Sequence, residues 1–224
     1  MKRYALLALA LIFLAIYLFP LYWMYLTALK PSSETFTYPP TFWPHHPEWN
    51  FAKVFVDKKM ATYLSNSLLI AIGTTVIVAL FGTGCAYALS RVRSVWMDIV
   101  LFLILMMQVL PSSLMATPIF VIFNQIGLIA TPRTAVVLVQ AAKVLPLYIV
   151  LTRKSFMQIP KELEEAARVD GASRFGAFMR IAVPLARNGI LVTSVLIFLQ
   201  SFGEYVYSRS LISEEALQTA TVGL

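Results

Sequence analysis

The chain contains 224 residues, of which 59% are hydrophobic and only 13% are charged. Soluble domains carry roughly a quarter charged residues, so this composition excludes a single soluble core and predicts an all-α, polytopic bundle of transmembrane helices. The formal net charge of +7 does not indicate nucleic-acid binding, because Lys and Arg lie at the ends of apolar runs and in loops rather than in one stripe.

Apolar runs predict five spans within a single transmembrane domain that covers residues 1–224. These spans lie at about residues 4–29, 64–90, 99–116, 134–152 and 188–208. The first run is longer than the roughly 7–15 apolar residues of a signal peptide, so we interpret it as a retained span. The third uncharged run is too long for one crossing, and we expect Pro111 and Pro118 to divide it. A span would then end near Ala116 and a shorter helix near Gly127.

The distribution of basic residues predicts the orientation of the spans. With the N-terminus and the loops 91–98 and 153–187 in the cytoplasm, most Lys and Arg lie on the inner side, as the positive-inside rule requires. The outer loop, 30–63, also carries cations, among them Lys53 and Lys58. Its many prolines and aromatic residues favour an ordered cap at the membrane interface over a further span.

The inner loop, 153–187, has the composition of two short helices. Pro160 suits the first turn of a helix, where no amide hydrogen is needed. Acidic residues follow in the first turns, where the positive end of the helix dipole favours them. Glu164 is spaced to form an i,i+4 ion pair with Arg168 on this first helix.

A turn and a second helix follow in the same loop. Gly171 provides a left-handed stop, and Ser173 is placed to cap the next helix. An apolar stripe at helical spacing then consists of Phe175, Phe178, Met179 and Ala182. We expect Pro184 to end this element just before the fifth span. On physical pattern alone, such a helix pair lies on the membrane surface, caps its own bundle or contacts a partner.

The loop also carries a motif with specific spacing. Nine residues separate the glycine of a Glu-Ala-Ala-x-x-Asp-Gly segment from an Ile-x-x-Pro segment. This arrangement resembles the EAA loop of type I ATP-binding-cassette importer permeases, although Val183 stands where leucine is common. In that family the helix pair docks into a groove of a cytosolic ATPase subunit. The resemblance implies that the ATPase-docking residues are Glu165, Ala166, Ala167, Asp170, Gly171, Ile181 and Pro184.

The resemblance extends over essentially the whole chain and is greatest to the carbohydrate and polyol branch, in particular to the second permease of maltose- or glycerol-phosphate-type importers. Segments that carry it include Asn66-Ser67-Leu68, Trp49-Asn50 and Phe202-Gly203-Glu204-Tyr205. In the last segment, Phe202 and Gly203 replace the usual tryptophan and asparagine. Family members continue beyond a segment similar to residues 221–224 into one more span. The sequence here predicts five spans and an external C-terminus, so either it is a fragment or the last helix is supplied differently.

This resemblance also implies the function and the partners. The chain would be the permease subunit of an ATP-driven importer for a sugar, polyol or related solute, in the cytoplasmic (inner) membrane of a bacterium or archaeon. Its partners would be a second permease subunit, two ATP-binding-cassette subunits, an external solute-binding protein and the lipid bilayer. ATP and Mg²⁺ would bind to the ATPase subunits. We expect no cofactor on this chain, which has no G-x-x-x-x-G-K-[ST] phosphate loop.

Three polar side chains in or beside the later spans are candidates for the solute pathway. Lys143 lies near the centre of the fourth span, where a cation costs roughly 2.5–3.5 kcal/mol on insertion scales. Gln140 lies one turn earlier on the same face, and Glu204, near the outer end of the fifth span, is a candidate partner for Lys143. These residues either form structural pairs or line the path of the solute.

Two other classes of membrane protein remain open from the residues alone. A membrane-embedded enzyme needs an acid–base pair, a nucleophile or a metal cluster, but the inner loop offers carboxylates without histidine or cysteine. Cys85 lies inside an apolar run, and His45 and His46 are adjacent rather than spaced as ligands. We therefore expect no catalytic residues and no metal site. The second alternative is a passive channel with a docking loop.

Overall fold

The computed structural model of the protein describes residues 2–49, 54–56, 59–92 and 94–223. These residues form helices and loops without a β-strand, which confirms the predicted all-α fold. The predictions that fall on Asn50, Lys53, Lys58, Arg93 and Leu224 lie outside the described residues.

Residues 1–60 form one unit, which begins with helix α1, Lys2–Leu29. This helix is long and apolar enough to cross a membrane, and most of its large apolar side chains are exposed. The loop that follows folds back on α1. The Nζ of Lys30 donates a 2.7 Å hydrogen bond to the carbonyl of Thr41, and the hydroxyl of Tyr22 donates one of 2.7 Å to the carbonyl of Phe42.

Residues 61–224 form the second unit, whose first helix begins at the boundary. Its helices are α2 (Met60–Arg91), α3 (Val95–Met107), α4 (Ser112–Gln125), α5 (Pro132–Met157), α6 (Lys161–Val169), α7 (Arg174–Ala177), α8 (Val183–Phe202), α9 (Val206–Leu211) and α10 (Ala220–Gly223). A π-helical turn, Phe178–Ala182, joins α7 to α8, and 3₁₀ turns occupy Leu128–Ala130 and Glu215–Leu217. Helices α2 and α5 and the continuous segment Arg174–Phe202 are also long and apolar enough to span a membrane.

The expected third span, about 99–116, is divided between two helices. The chain leaves the helical conformation after α3, and α4 begins directly after Pro111. The break falls there because proline lacks an amide hydrogen and disfavours helical backbone in the residue before it. Pro118 lies inside α4 and does not divide the run. As predicted, α4 ends close to Gly127, whose φ is +73°.

The expected fifth span, about 188–208, begins and ends earlier in the structure. Because α7 continues into α8 through the π-helical turn, the prediction that Pro184 ends the second loop helix is wrong. Pro184 lies in the first turn of α8, where the π-helical turn has already interrupted the α-helical hydrogen-bond register. Helix α8 ends at Phe202, and Gly203 and Glu204 lie between it and α9.

The core of the second unit is built along α5. Near the middle of α5, the fully buried Tyr148 packs with Val78 of α2 and Ile197 of α8. Toward the end of α5, the fully buried Phe156 joins a cluster with Ala86 of α2. Helix α5 therefore contacts both α2 and α8, and it leads directly into the inner loop.

Candidate functional site

A buried carboxylate holds the inner loop against the end of α2. Glu164 of α6 is only 8% exposed; its Oε1 is paired with the guanidinium of Arg91, and its Oε2 accepts a 2.5 Å hydrogen bond from the hydroxyl of Tyr87. Arg91 also donates a 3.0 Å bond to the carbonyl of Phe156. The predicted pair of Glu164 with Arg168 is therefore wrong, because Glu164 faces α2 and finds its partners there.

Aromatic packing surrounds this ion pair. The ring of Tyr87 lies 4.6 Å from the ring of Phe178 and 5.5 Å from that of Phe156, measured between centroids. The guanidinium carbon of Arg91 lies 5.3 Å from the centroid of the Tyr87 ring. Helix α2, the end of α5 and the π-helical turn thus meet beside α6 and bury most of the two charged side chains, which also border a cleft of 290 Å³.

The turn between the two loop helices has the predicted geometry. Gly171 has a φ of +92°, in the left-handed region that favours glycine. The amide of Ala172 donates a 2.9 Å hydrogen bond to the carbonyl of Ala167, which closes the end of α6. The Oγ of Ser173 accepts a 3.0 Å hydrogen bond from the amide of Gly176, so the predicted helix cap is confirmed.

The expected docking residues differ in exposure. Glu165, Ala166, Asp170, Gly171 and Pro184 are exposed, whereas Ala167 and Ile181 are half-buried. A groove of 310 Å³ is lined by Ala167, Asp170, Gly171, Ala172, Gly176, Arg180 and Ile181. The structure therefore brings four of the seven expected residues together around one groove between the loop helices. Pro184 does not line it.

Large apolar side chains are exposed beside these residues. Val169, in the last turn of α6, is 88% exposed, and Phe175 of α7 is 71% exposed. Phe175 and Phe178 belong to the same predicted stripe, but Phe178 packs inward against Tyr87. Exposed apolar side chains beside small residues favour contact with another protein. In the sequence motif, Val169 occupies an unspecified position and Phe175 lies in the nine-residue spacer, so the motif predicts neither side chain.

A second polar cluster lies between α5, α8 and the start of α9. Gln140 is 2% exposed; its Oε1 accepts a hydrogen bond from Ser201, and its Nε2 lies 3.4 Å from Oε2 of Glu204. The Glu204 carboxylate also accepts hydrogen bonds from the amides of Tyr207 and Ser208, at 2.8 and 3.1 Å. Glu204 therefore caps α9 and joins it to α5.

Lys143 has partners other than the one expected. Its Nζ donates to the Oγ of Ser112 and lies 5.6 Å from the centroid of the Tyr207 ring. Its backbone carbonyl accepts a 2.8 Å hydrogen bond from the side-chain amide of Gln108. The expected pairing of Lys143 with Glu204 is absent from the described contacts. The Glu204 carboxylate instead faces the backbone amides at the start of α9 and the side-chain amide of Gln140.

Lys143 lines a cavity of 380 Å³ whose walls are mostly apolar. Gln108, Tyr207 and Pro146 also line it, whereas the other two pathway candidates do not. Since Pro146 has no amide hydrogen, the carbonyl of Ala142, another lining residue, lacks its usual helical donor. The cavity thus combines hydrogen-bond donors and acceptors with apolar walls, as small-molecule sites generally do. Among the described residues, no group of three or more His, Cys, Asp and Glu is placed to hold a metal ion.

Residues 79–223 match a family model described as the inner membrane component of binding-protein-dependent transport systems. The chain belongs to this family. It is 32% identical to the sulfoquinovosyl glycerol transport system permease protein of Agrobacterium fabrum, over 92% of this chain and 73% of that protein. It is 30% identical to the trehalose transport system permease protein of Mycobacterium tuberculosis, over 92% of this chain and 75% of that protein.

The fold is similar to that of a solved permease. A chain in the crystal structure of a bacterial ABC transporter involved in the import of the acidic polysaccharide alginate superposes with a TM-score of 0.77. The match covers 96% of this chain and 76% of that chain, at 22% sequence identity. The helical membrane architecture predicted from the sequence is therefore confirmed.

Family membership confirms the predicted class of function. The chain is the permease subunit of an ATP-binding-cassette importer, and it is a transport subunit rather than an enzyme. In this family the ATPase is a separate subunit, and a solute-binding protein gives the family its name. The alternatives of a membrane-embedded enzyme and of a passive channel are thereby excluded.

Proposed function

We propose that this permease imports a carbohydrate, a polyol or a related hydroxylated solute. The relatives described above carry permease names that refer to sulfoquinovosyl glycerol and to trehalose, which supports a sugar-like solute for this chain as well. The cavity beside α5 supports the same class. Lys143, the amide of Gln108 and the carbonyl of Ala142 supply donors and acceptors that suit the hydroxyl groups of such a solute.

In this proposal Lys143 lines the solute path, and Gln140 and Glu204 support its wall. The contacts of Gln140 with Ser201 and Glu204 join α5, α8 and α9. Tyr207 of α9 lines the cavity, and its backbone amide donates a hydrogen bond to the same Glu204 carboxylate, which caps α9. A movement of α8 relative to α5 therefore changes the shape of the cavity through this cluster.

The inner loop is the docking surface for an ATPase subunit. Glu165, Ala166 and Asp170 are exposed on α6, and Phe175 extends the surface with apolar area. The opposite face of α6 is buried through Glu164 and its ion pair. The observation that carries this proposal is that α6 is free on one face and firmly attached to the bundle on the other. A helix of this kind can receive a force from a partner and transmit it to the spans.

The working unit contains a second permease, two ATPase subunits that bind ATP and Mg²⁺, and an external solute-binding protein. The N-terminus and the loop 153–187 lie on the cytoplasmic side of the inner membrane of a bacterium or archaeon, as the basic residues favour. Closure of the two ATPase subunits draws the docked loops together. The attached spans then change from an inward-open to an outward-open state, a rigid-body transition between two states. Ile181, in the π-helical turn, and Pro184, in the first turn of α8, lie where the docking helices continue into the span.

Two substitutions test the docking role. Glu165→Lys reverses a charge at the docking surface, and Gly171→Pro forbids the φ of +92°, since proline fixes φ near −65°. Each is expected to lower the uptake per ATP hydrolysed at least about tenfold, which corresponds to roughly 1.4 kcal/mol of lost coupling. The measurement uses vesicles that contain the complete importer and a radiolabelled sugar selected from a panel by uptake through the wild type.

The matched control is Glu214→Lys. Glu214 is exposed, and the substitution makes the same change in charge far from the inner loop in sequence. It is expected to leave the ratio of uptake to hydrolysis unchanged. Wild-type coupling in both loop variants, together with wild-type recovery of the ATPase during purification, would overturn the docking role.

A further inference from the structure

The contact between α6 and α2 joins parts of the chain that are distant in sequence. Arg91 and Glu164 are 73 residues apart, and their side chains are 17% and 11% exposed. Two more bonds hold the same end of α2. The Nζ of Lys161 lies 3.3 Å from the carbonyl of Arg91, and the Nε of Arg153 donates a 3.1 Å bond to the carbonyl of Leu89. The last turn of α2 is thus bonded to α5 and to α6, the first helix of the inner loop.

The contact has the properties of a permanent attachment. Both oxygens of the Glu164 carboxylate are occupied, one by Arg91 and the other by Tyr87. Fully buried Phe156 and half-buried Phe178 pack beside the Tyr87 ring and cover one side of the pair. Because both charges are mostly buried, loss of either partner would leave the other unpaired, which is strongly unfavourable. The helices therefore move together unless another group replaces one partner.

We propose that Glu164, Arg91 and Tyr87 form a joint that makes α2 move with the docked loop. The proposal rests on the docking of α6 to an ATPase subunit. The loop is covalently continuous only with α5 and α8, so without this joint the force from the ATPase would reach α2 only through helix packing and through the bonds that Arg153 and Lys161 make with backbone carbonyls of α2. The three residues act by positioning, since they contact neither nucleotide nor solute. Their role is to add α2 to the group of helices that changes state in each cycle.

Distance measurements between spin labels test the joint without knowledge of the solute. One pair, Leu163→Cys with Leu80→Cys, reports the distance between α6 and α2; both positions are exposed, at 45% and 71%. A control pair, Leu163→Cys with Leu191→Cys, reports the distance between α6 and α8, which the chain itself connects. The only native cysteine, Cys85, is changed to serine in every variant. The complete importer is measured without nucleotide and with ATP plus vanadate.

With the joint intact, the distribution of α6–α2 distances is expected to be the same in both states. With Glu164→Gln, ATP plus vanadate is expected to produce a second population of α6–α2 distances that differs from the first by about 5 Å or more, one turn of a helix. The α6–α8 pair stays unchanged in that variant. Tyr87→Phe keeps the ring and removes only the hydroxyl, so it gives a smaller second population. Glu162→Gln, at an exposed carboxylate of α6 outside the docking residues, gives none.

The proposal is overturned if the α6–α2 distance changes between the two states while the joint is intact, or if Glu164→Gln leaves both distributions as in the wild type. Arg91→Lys keeps the charge but loses the second guanidinium donor, and it serves as the variant if Glu164→Gln does not assemble. Recovery of the ATPase with each purified variant separates the two proposals. A loop that binds no ATPase in the wild type refutes docking, whereas retained ATPase with unchanged distances in Glu164→Gln refutes only the joint.

Discussion

Gly82 is a position where α2 lies very close to α5. A Cβ atom added there would lie 2.5 Å from Cδ1 and 3.0 Å from Cε1 of Tyr148. Tyr148 is fully buried, and its hydroxyl lies 2.9 Å from the Oγ1 of Thr83, so its ring has little freedom to move. Carbon atoms in normal contact are about 3.5–4.0 Å apart, so Gly82→Ala requires a shift of about 1 Å in the ring or in one helix.

The expected loss of stability follows from this shift. Extra volume in a well-packed core typically costs about 1–3 kcal/mol. The higher helix propensity of alanine offsets up to about 1 kcal/mol of that cost. We therefore expect Gly82→Ala to reduce the free energy of unfolding by about 1–2 kcal/mol, a factor of roughly 5–30 in the folding equilibrium.

Gly84→Ala is the matched control in the same helix. A Cβ atom added at Gly84 has no neighbour within 4 Å, so only the gain in helix propensity remains. Both variants are purified in detergent and unfolded by titration with sodium dodecyl sulfate, and the loss of helix is followed by circular dichroism. The midpoint should fall for Gly82→Ala and should not fall for Gly84→Ala. Equal midpoints for the two variants would refute close packing of the helices at Gly82.

Two further predictions concern buried polar groups. The side-chain amide of Asn66 donates hydrogen bonds of 2.9 Å to the carbonyls of Ala216 and Gln218, and its oxygen accepts one of 2.7 Å from Arg133. Asn66→Ala leaves these three groups without those bonds, so the free energy of unfolding in the same titration should fall by about 1–3 kcal/mol. Lys143→Met removes the cation from the cavity while nearly keeping its length, so the KM for uptake should rise while recovery of the ATPase stays at the wild-type level; an unchanged KM removes Lys143 from the solute path.

The long helices of the fold could be predicted from the sequence because apolar length alone determines them. The uncharged runs that predict the first, second and fourth spans correspond to α1, α2 and α5. The helix boundaries in the run that contains Pro111 and Pro118 could not be predicted as well, because either proline can end a helix and the sequence does not say which one does. The continuous helix through Pro184 was missed for a related reason. A π-helical turn directly before α8 accommodates Pro184, and no residue pattern predicts such a turn.

In the inner loop, features that depend on neighbouring residues could be predicted from the sequence, whereas contacts between distant residues could not. The turn at Gly171 and the cap at Ser173 could be predicted, since each depends on the backbone of a few neighbouring residues. The partners of Glu164 could not, because helix spacing offers only Arg168, whereas the tertiary fold places Arg91 against a carboxylate that is already buried. Because the pair is buried, loss of either partner would be costly. The family motif also leaves the exposed apolar residues Val169 and Phe175 unspecified.

The most direct test of the central claim is to identify what touches the exposed face of α6. A photo-activated cross-linking amino acid is placed at Ala166, which is exposed on that face, and in a second variant at Glu214 as a control. After irradiation of membranes that contain the complete importer, we predict a covalent product between this chain and the ATPase subunit from Ala166 and none from Glu214. The absence of that product at Ala166, or its formation from both positions, would contradict the account.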